Sequence, residues 1–111
     1  MVKNHFQVKT QIQPSRMGKM AKDFVEMDST FQNSAMGRRV ADKAVQARGR
    51  LNNGVNRSTK TDYLNALMDY FNRLSFFAKE NGQEEMYHYI QQHVSNLERE
   101  KARISAEIIK P

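Results

Sequence analysis

Residues 5–14 read His-Phe-Gln-Val-Lys-Thr-Gln-Ile-Gln-Pro, and the predicted fold of the chain depends on this stretch. Apolar or β-branched side chains at the even positions alternate with polar side chains at the odd positions. That is the period of a β-strand with one apolar face. Pro14 ends the strand, because proline has no N–H for a sheet and fits the first turn of a helix. The sequence therefore predicts a strand followed at once by a helix.

Two helices are predicted directly after the strand. The first is expected over 15–28, where methionine, alanine and phenylalanine recur at helical spacing on one side. The second is expected to begin at Asn33 or Ser34, both good N-cap residues, and to end near Arg48. The interior of the second helix contains Gly37, at a cost of about 1 kcal/mol relative to alanine.

A second pair of helices is predicted in the C-terminal half. The third helix is expected to run to Asn81, with Thr59 and Asp62 forming a capping box near its start. Gly82 follows as a stop signal, and a fourth helix is expected over 83–109. Because the connection is short, these two helices are predicted to pack as an antiparallel hairpin.

Turn-forming residues at 51–57 are a predicted linker between two domains, 1–50 and 58–111. A lone strand leaves backbone donors and acceptors without partners inside the monomer. The same strand of a second copy would satisfy them across a two-fold axis, so a homodimer, or a tetramer built from it, is expected. The predicted fold class is mainly α: one strand that pairs across a dimer, two helices and a C-terminal helical hairpin.

The charge distribution indicates a polyanion as the partner. The chain carries a net charge of +6, and residues 1–57 hold 11 Lys and Arg against 4 Asp and Glu. A basic half beside a neutral half is typical of proteins that bind nucleic acid. The apolar runs are too short for a membrane-spanning helix, and no membrane partner is expected. The absence of cysteine excludes disulfides and thiolate zinc sites, and a cytoplasmic protein is expected.

Residues 5–50 resemble the ribbon-helix-helix DNA-binding proteins of the Arc and MetJ type. The resemblance lies in the strand from His5 to Ile12, in Pro14, and in the stretch Asn33-Ser34-Ala35-Met36-Gly37-Arg38-Arg39-Val40. It implies that paired strands enter the major groove of double-stranded DNA, and that the start of the second helix holds a phosphate. The residues then expected to read bases are Gln7, Lys9 and Gln11. Those expected to contact phosphate are Asn33, Ser34, Arg38 and Arg39.

The C-terminal half is similar to the hairpin of relaxosome accessory proteins of mobilisable plasmids. The similar stretch is Val55-Asn56-Arg57-Ser58-Thr59 leading into Tyr63-Leu64-x-x-Leu67-Met68. This resemblance implies sequence-specific DNA binding at a plasmid transfer origin, with a relaxase as a possible partner of residues 58–111. One alternative is a transcriptional repressor with the same DNA-binding head. Another is a helical protein-interaction adaptor that does not bind DNA.

No catalytic site, metal site or cofactor is predicted. The chain has no recognisable Ser-His-Asp grouping, phosphate-binding loop or cysteine nucleophile, so we expect no enzyme activity. Glu84 and His88 stand four apart and could share a metal ion, but no third ligand is apparent. The hairpin's aromatic residues, among them Phe76 and Phe77, exceed what two helices can bury. A second interface, with another copy or a protein partner, is expected there.

Overall fold

The computed structural model describes residues 19–109, which form four α-helices joined by short connections. None of these helices combines the length and the apolar character that crossing a membrane requires. In chain order they are α1 (Lys19–Gln32), α2 (Ala35–Asn53), α3 (Arg57–Glu80) and α4 (Glu84–Ile109).

Local hydrogen bonds set where α3 begins and ends. The Asn56 side chain accepts from the Thr59 N–H at 2.9 Å, and the Thr59 hydroxyl accepts from the Asn56 N–H at 3.0 Å. This reciprocal pair is the capping box of α3, one turn earlier than the sequence pattern predicted. At the other end Gly82 has a φ of 78°, a left-handed conformation that suits glycine and turns the chain into α4.

The hairpin of α3 and α4 is antiparallel. The Phe71 ring packs edge-on against His93 with centroids 4.9 Å apart, and nearer the connection the Phe76 ring lies 5.5 Å from Tyr87. Between these contacts, the Gln91 amide donates to the Ser75 hydroxyl at 2.7 Å. Residue numbers therefore rise along α3 as they fall along α4, which defines the antiparallel register.

Helix α1 covers part of the aromatic surface of the hairpin. Phe31 packs against Tyr70 with centroids 5.4 Å apart and against Phe77 at 5.3 Å, while Phe24 meets Tyr89 edge-on at 6.4 Å. Phe24 and Phe31 are both only 2% exposed. Much of the aromatic surface that was predicted to exceed the capacity of two helices is thus buried by α1 of the same chain. Phe76 remains 47% exposed.

The helices share one hydrophobic core. Its members come from all four of them and include Phe24, Phe31, Val40, Ala44, Leu67, Tyr70, Phe71, Leu74, Met86, Ile90 and Val94. The face that α2 contributes is built from small residues: Gly37, Val40, Ala41, Ala44 and Ala47 are all buried. Small side chains allow the backbones to approach closely, so α2 lies close to its neighbours.

A polar group sits inside this core. Asp28 is 7% exposed, and its carboxylate accepts hydrogen bonds from the Tyr70 hydroxyl and, at 3.0 Å, from the Gln32 amide. Burial, together with the nearby charge of Asp28, raises the pKa of Tyr70 well above its usual value. The hydroxyl therefore stays protonated and acts as a donor to the carboxylate. This link between α1 and α3 had no signal in the sequence pattern.

The predicted ribbon-helix-helix fold with an added hairpin is wrong. The described residues contain four helices and no strand, and the apolar faces of α1 and α2 bury against α3 and α4. The apolar faces of the first two helices thus find their partners within the chain. The segment 5–13, on which the strand was predicted, lies outside the described residues. The broader expectation of a mainly α protein is consistent with the structure.

Candidate nucleic-acid interface

The start of α2 is held tightly against the end of α1. The Ser34 hydroxyl caps α2 by accepting from the Gly37 N–H at 3.0 Å, and it donates to the Phe31 carbonyl at 2.6 Å. A Cβ atom on Gly37 would lie 1.7 Å from that carbonyl oxygen, so a larger residue cannot occupy this position without a shift of the backbone. The contact fixes the direction of α2 and hence the side that faces solvent.

The residues predicted to contact phosphate lie at or near the N-terminus of α2. The Arg38 guanidinium donates to the Asn33 carbonyl at 3.0 Å, and the Ser34 hydroxyl is engaged in capping. Arg39 is exposed on a side of the helix about 100° away from Arg38. The residues predicted to read bases lie outside the described residues: Gln7, Lys9 and Gln11.

Exposed cations continue along α2 from this point. Arg39, Lys43 and Arg50 are exposed and recur at helical spacing, so they form a row of about three turns with Arg38 beside its start. We call the surface formed by Arg38, Arg39, Lys43 and Arg50 the basic face. Of this face, only Arg38 and Arg39 were predicted to bind, because the resemblance places the phosphate contact at the start of the helix.

The basic face lies where the charge of the chain is concentrated. Residues 38–60 contain seven Lys and Arg and one acidic residue, Asp42, an excess of +6 that equals the net charge of all 111 residues. The remaining residues hold 11 basic and 11 acidic side chains and balance to zero. Helix α2 and the first turn of α3 therefore carry an excess of +6.

Two cations elsewhere in the described residues form ion pairs with carboxylates, whereas no cation of the basic face does. Arg73 pairs with Asp69 at 2.9 Å on α3, and Arg103 pairs with Glu100 on α4. Within the described part of the chain, no ion pair within 4.0 Å involves a residue of α2. Placing like charges side by side without counterions is unfavourable, and an anionic ligand would relieve that repulsion.

A groove runs beside the basic face, between α2 and α3. It has a volume of about 420 Å³, and its floor includes two small residues, Ala47 and Ala66. Lys43, Gln46 and Arg50 line it from α2, while Asp62 and Asn65 line it from α3. Two cations, Lys43 and Arg50, thus line the groove together with one carboxylate, Asp62.

A second groove, between α1 and α3, has the opposite character. It has a volume of about 280 Å³ and is lined by Asp23, Glu26, Met27, Thr30, Phe77, Asn81 and Gln83. Two carboxylates and no cation line this groove, so it would repel a polyanion. Of the two grooves, the one beside α2 therefore has the charge that suits an anionic ligand.

Metal ligation has little support within the described residues. No group of three or more His, Asp or Glu side chains there is arranged to hold a metal ion. Glu84 and His88, considered above as two ligands, are 3.8 Å apart and exposed, which makes them a surface ion pair when the histidine is protonated. His93 packs against Phe71, and burial lowers the pKa of its imidazole.

Comparison of the chain with protein-family models, curated proteins and solved structures finds no match. A functional interpretation therefore depends on the geometry and charge of the residues themselves.

Proposed function

We propose that this protein binds double-stranded DNA through the basic face of α2. The observation that supports this most directly is the excess of +6 within residues 38–60, carried by exposed side chains without ion-pair partners among the described residues. Lysine and arginine side chains that neutralise phosphates release condensed counterions, and this release drives sequence-independent binding to DNA. The open groove beside Lys43 and Arg50 gives a phosphate backbone room to approach both.

The residue types favour a duplex over a single strand. Proteins that bind single strands usually stack bases on aromatic side chains. No aromatic residue occurs between Phe31, which is buried, and Tyr63. The basic face therefore offers charge without a stacking platform, and charge alone suits the outer backbone of a paired helix.

The shape of the interface favours DNA over double-stranded RNA. An α-helix with its side chains is about 10–12 Å wide, and the major groove of B-form DNA is about 12 Å wide. The major groove of A-form RNA is too deep and narrow for side chains to read. An exposed helix such as α2 therefore fits DNA better.

A membrane surface is a less suitable anionic partner. Helices that lie in a membrane interface bury a large apolar face beside their basic residues. The large apolar side chains exposed among the described residues are Val25, Val55 and Phe76, and none of them belongs to α2. Anionic vesicles thus serve as a comparison ligand in the test below.

The proposal differs from the sequence-based predictions in what it requires. Dimerisation was predicted in order to pair two strands, whereas the basic face is complete within one chain. The homodimer, the relaxosome and repressor roles, and a relaxase partner for residues 58–111 stay predictions from resemblance. They are separate from the binding proposed here.

Fluorescence anisotropy with a labelled duplex over a series of salt concentrations tests the proposal. The variant Arg39→Gln/Lys43→Gln/Arg50→Gln removes three cations of the basic face. The control Arg99→Gln/Lys101→Gln/Arg103→Gln removes two arginines and one lysine from α4, so both proteins have the same net charge.

The wild-type protein and the α4 control should bind the duplex with a steep dependence on salt. The α2 variant should bind weakly, and the slope of log K against log salt should fall by about 3, since each lost phosphate contact lowers it by about 1. Equal losses in the two variants would show attraction by net charge alone and contradict the proposed face. Stronger binding to single strands, to RNA or to anionic vesicles would contradict the choice of ligand.

A further inference from the structure

We infer that α2 also reads DNA sequence, through a line of residues formed by Asp42, Gln46, Gly49 and Asn53. These residues follow one another at spacings of three or four, so they lie along one side of the helix. All four are exposed. This inference rests on the proposed function, and it adds that the site distinguishes duplexes by their base sequence.

The line lies between cations of the basic face. At about 100° per residue, Arg38 falls on one side of the line, and Arg39, Lys43 and Arg50 fall on the other. A helix placed in the major groove directs its centre toward the bases and its flanks toward the two phosphate backbones. The cations of α2 are therefore placed for phosphates, and the line between them is placed for bases.

The side chains on the line have the chemistry for base recognition. The amides of glutamine and asparagine can form paired hydrogen bonds with adenine, and a carboxylate accepts from the amino group of cytosine. Within the described part of the chain, no side-chain hydrogen bond or ion pair involves Asp42, Gln46 or Asn53. Their polar atoms remain available to a ligand.

Gly49 adds an independent observation. Glycine inside a helix is destabilising relative to alanine, so its presence at position 49 has a cost in stability. A Cβ atom at Gly49 would meet nothing within 4 Å, and Gly82 is the described glycine that has a positive φ. Neither packing nor backbone conformation requires glycine at position 49. Close approach of the α2 backbone to a ligand would require it, because a missing side chain lets a helix lie deeper in the groove.

The experiment begins with the wild-type chain and a random pool of duplexes, from which bound sequences are selected. The selected duplex and a scrambled duplex of the same composition are then the two probes for anisotropy measurements. The variants are Gln46→Ala, Gly49→Ala and, as a control on α4, the exposed residue change Gln92→Ala.

Gln46→Ala should weaken binding to the selected duplex by about tenfold, the size expected for the loss of one base contact. Its salt slope should stay at the wild-type value, because no cation is removed, and its loss of affinity for the scrambled duplex should be much smaller than its loss for the selected duplex. Gln92→Ala should match the wild type on both probes. An unchanged ratio between the two duplexes in Gln46→Ala would overturn the assignment of base reading to this line.

Gly49→Ala gives a readout that a structural role would not produce. Alanine should raise the melting temperature of the protein, and it should also weaken binding to the selected duplex by about tenfold, because its methyl group holds the helix away from the bases. A raised melting temperature with unchanged affinity would overturn the role of Gly49.

The two proposals fail in different ways. Binding of duplexes without any sequence preference, with the salt response of the basic face intact, would overturn base reading alone. An absence of binding to every duplex would overturn both proposals.

Discussion

Two buried polar groups in the interior of the helical bundle are paired with other side chains, whereas cations of the basic face of α2 form no ion pairs among the described residues. Inside, the Asp28 carboxylate accepts from Tyr70 and Gln32, and the Ser75 hydroxyl accepts from Gln91. On the basic face, Lys43 and Arg50 have no ion-pair partner among the described residues. Buried polar groups need partners for the fold to be stable, whereas solvated cations do not. The cations of the basic face therefore need no partner for the fold to be stable, and they remain accessible to an anionic ligand.

The two glycines of α2 show the same contrast. Gly37 faces inward, where a Cβ atom would lie 1.7 Å from the Phe31 carbonyl oxygen, while a Cβ atom on Gly49 would meet nothing within 4 Å. Packing requires the first glycine and does not require the second. Substitutions in the interior should therefore change stability more than substitutions on the surface.

The largest effect is expected for Gly37→Ala. The added methyl group must displace the backbone of the α1–α2 connection, and overpacking of this kind costs about 3 kcal/mol. Urea denaturation should show a much lower midpoint than that of the wild type. The matched variant Gly49→Ala should instead gain about 0.5–1 kcal/mol, because alanine favours the helix. Similar shifts for both variants would contradict the difference between the two sides of α2.

A smaller loss is expected for Tyr70→Phe, which removes one donor from the buried Asp28 carboxylate. Leaving a buried acceptor short of a partner costs about 1–3 kcal/mol. Thermal or urea unfolding at neutral pH measures this loss. The half-buried Tyr63 provides a control, since Tyr63→Phe removes a hydroxyl of the same kind outside the core. Equal stability of the two variants would show that the Asp28–Tyr70 contact contributes little.

The same variant has a signature at high pH. The pKa of Tyr70 is raised in the folded protein, so the contribution of its neutral hydroxyl is full below the ordinary tyrosine pKa of 10.0 and is lost as the pH rises above it. Wild-type stability should fall more steeply above pH 10 than the stability of Tyr70→Phe.

The smallest effect concerns His93, a polar group of the interior without a partner for its Nε2 atom among the described residues. Burial lowers the pKa of His93 below the ordinary 6.5, so the fold favours the neutral imidazole. Its contribution is full above pH 6.5 and is lost as the pH falls below that value. Wild-type stability should therefore drop between pH 7 and pH 5, and His93→Leu should reduce the drop. His88→Gln, which removes an exposed histidine, is the matched control, and an equal reduction of the drop in both variants would contradict the role of His93 burial.

The helices were predictable from sequence because apolar spacing reports which side of a helix is buried. Leu67, Leu74 and Ile90, for example, stand in apolar stripes of the predicted hairpin helices, and all three are buried. Apolar spacing does not show which other element the buried side of a helix packs against. The apolar side of α1 suited a dimeric head as well as it suited the hairpin, so the sequence pattern led to the wrong fold. Packing of Phe31 against Tyr70 and Phe77 is a contact between distant parts of the chain, which periodicity cannot reveal.

The candidate site was predictable in part. The excess of positive charge before residue 58 predicted an anionic partner, and the basic face lies in that half of the chain. The residues chosen within that half followed from the resemblance, which placed base reading on Gln7, Lys9 and Gln11. Recognition of the row from Arg39 to Arg50 required the observed end of α2 at Asn53, beyond the predicted end near Arg48. The length of a helix decides how many cations belong to one row along its side. The ends of a helix are the least certain part of a helix predicted from sequence.

The small buried residues of α2 have a consequence for how this protein could change. Ala41, Ala44 and Ala47 pack the buried side of the helix. The exposed residues Asp42, Gln46 and Asn53 therefore contribute little to the stability of the fold. Substitutions at Asp42, Gln46 or Asn53 should therefore alter target choice with little effect on folding. A library randomised at these outward positions should consist mostly of folded proteins, and the proposed base reading predicts that their sequence preferences differ.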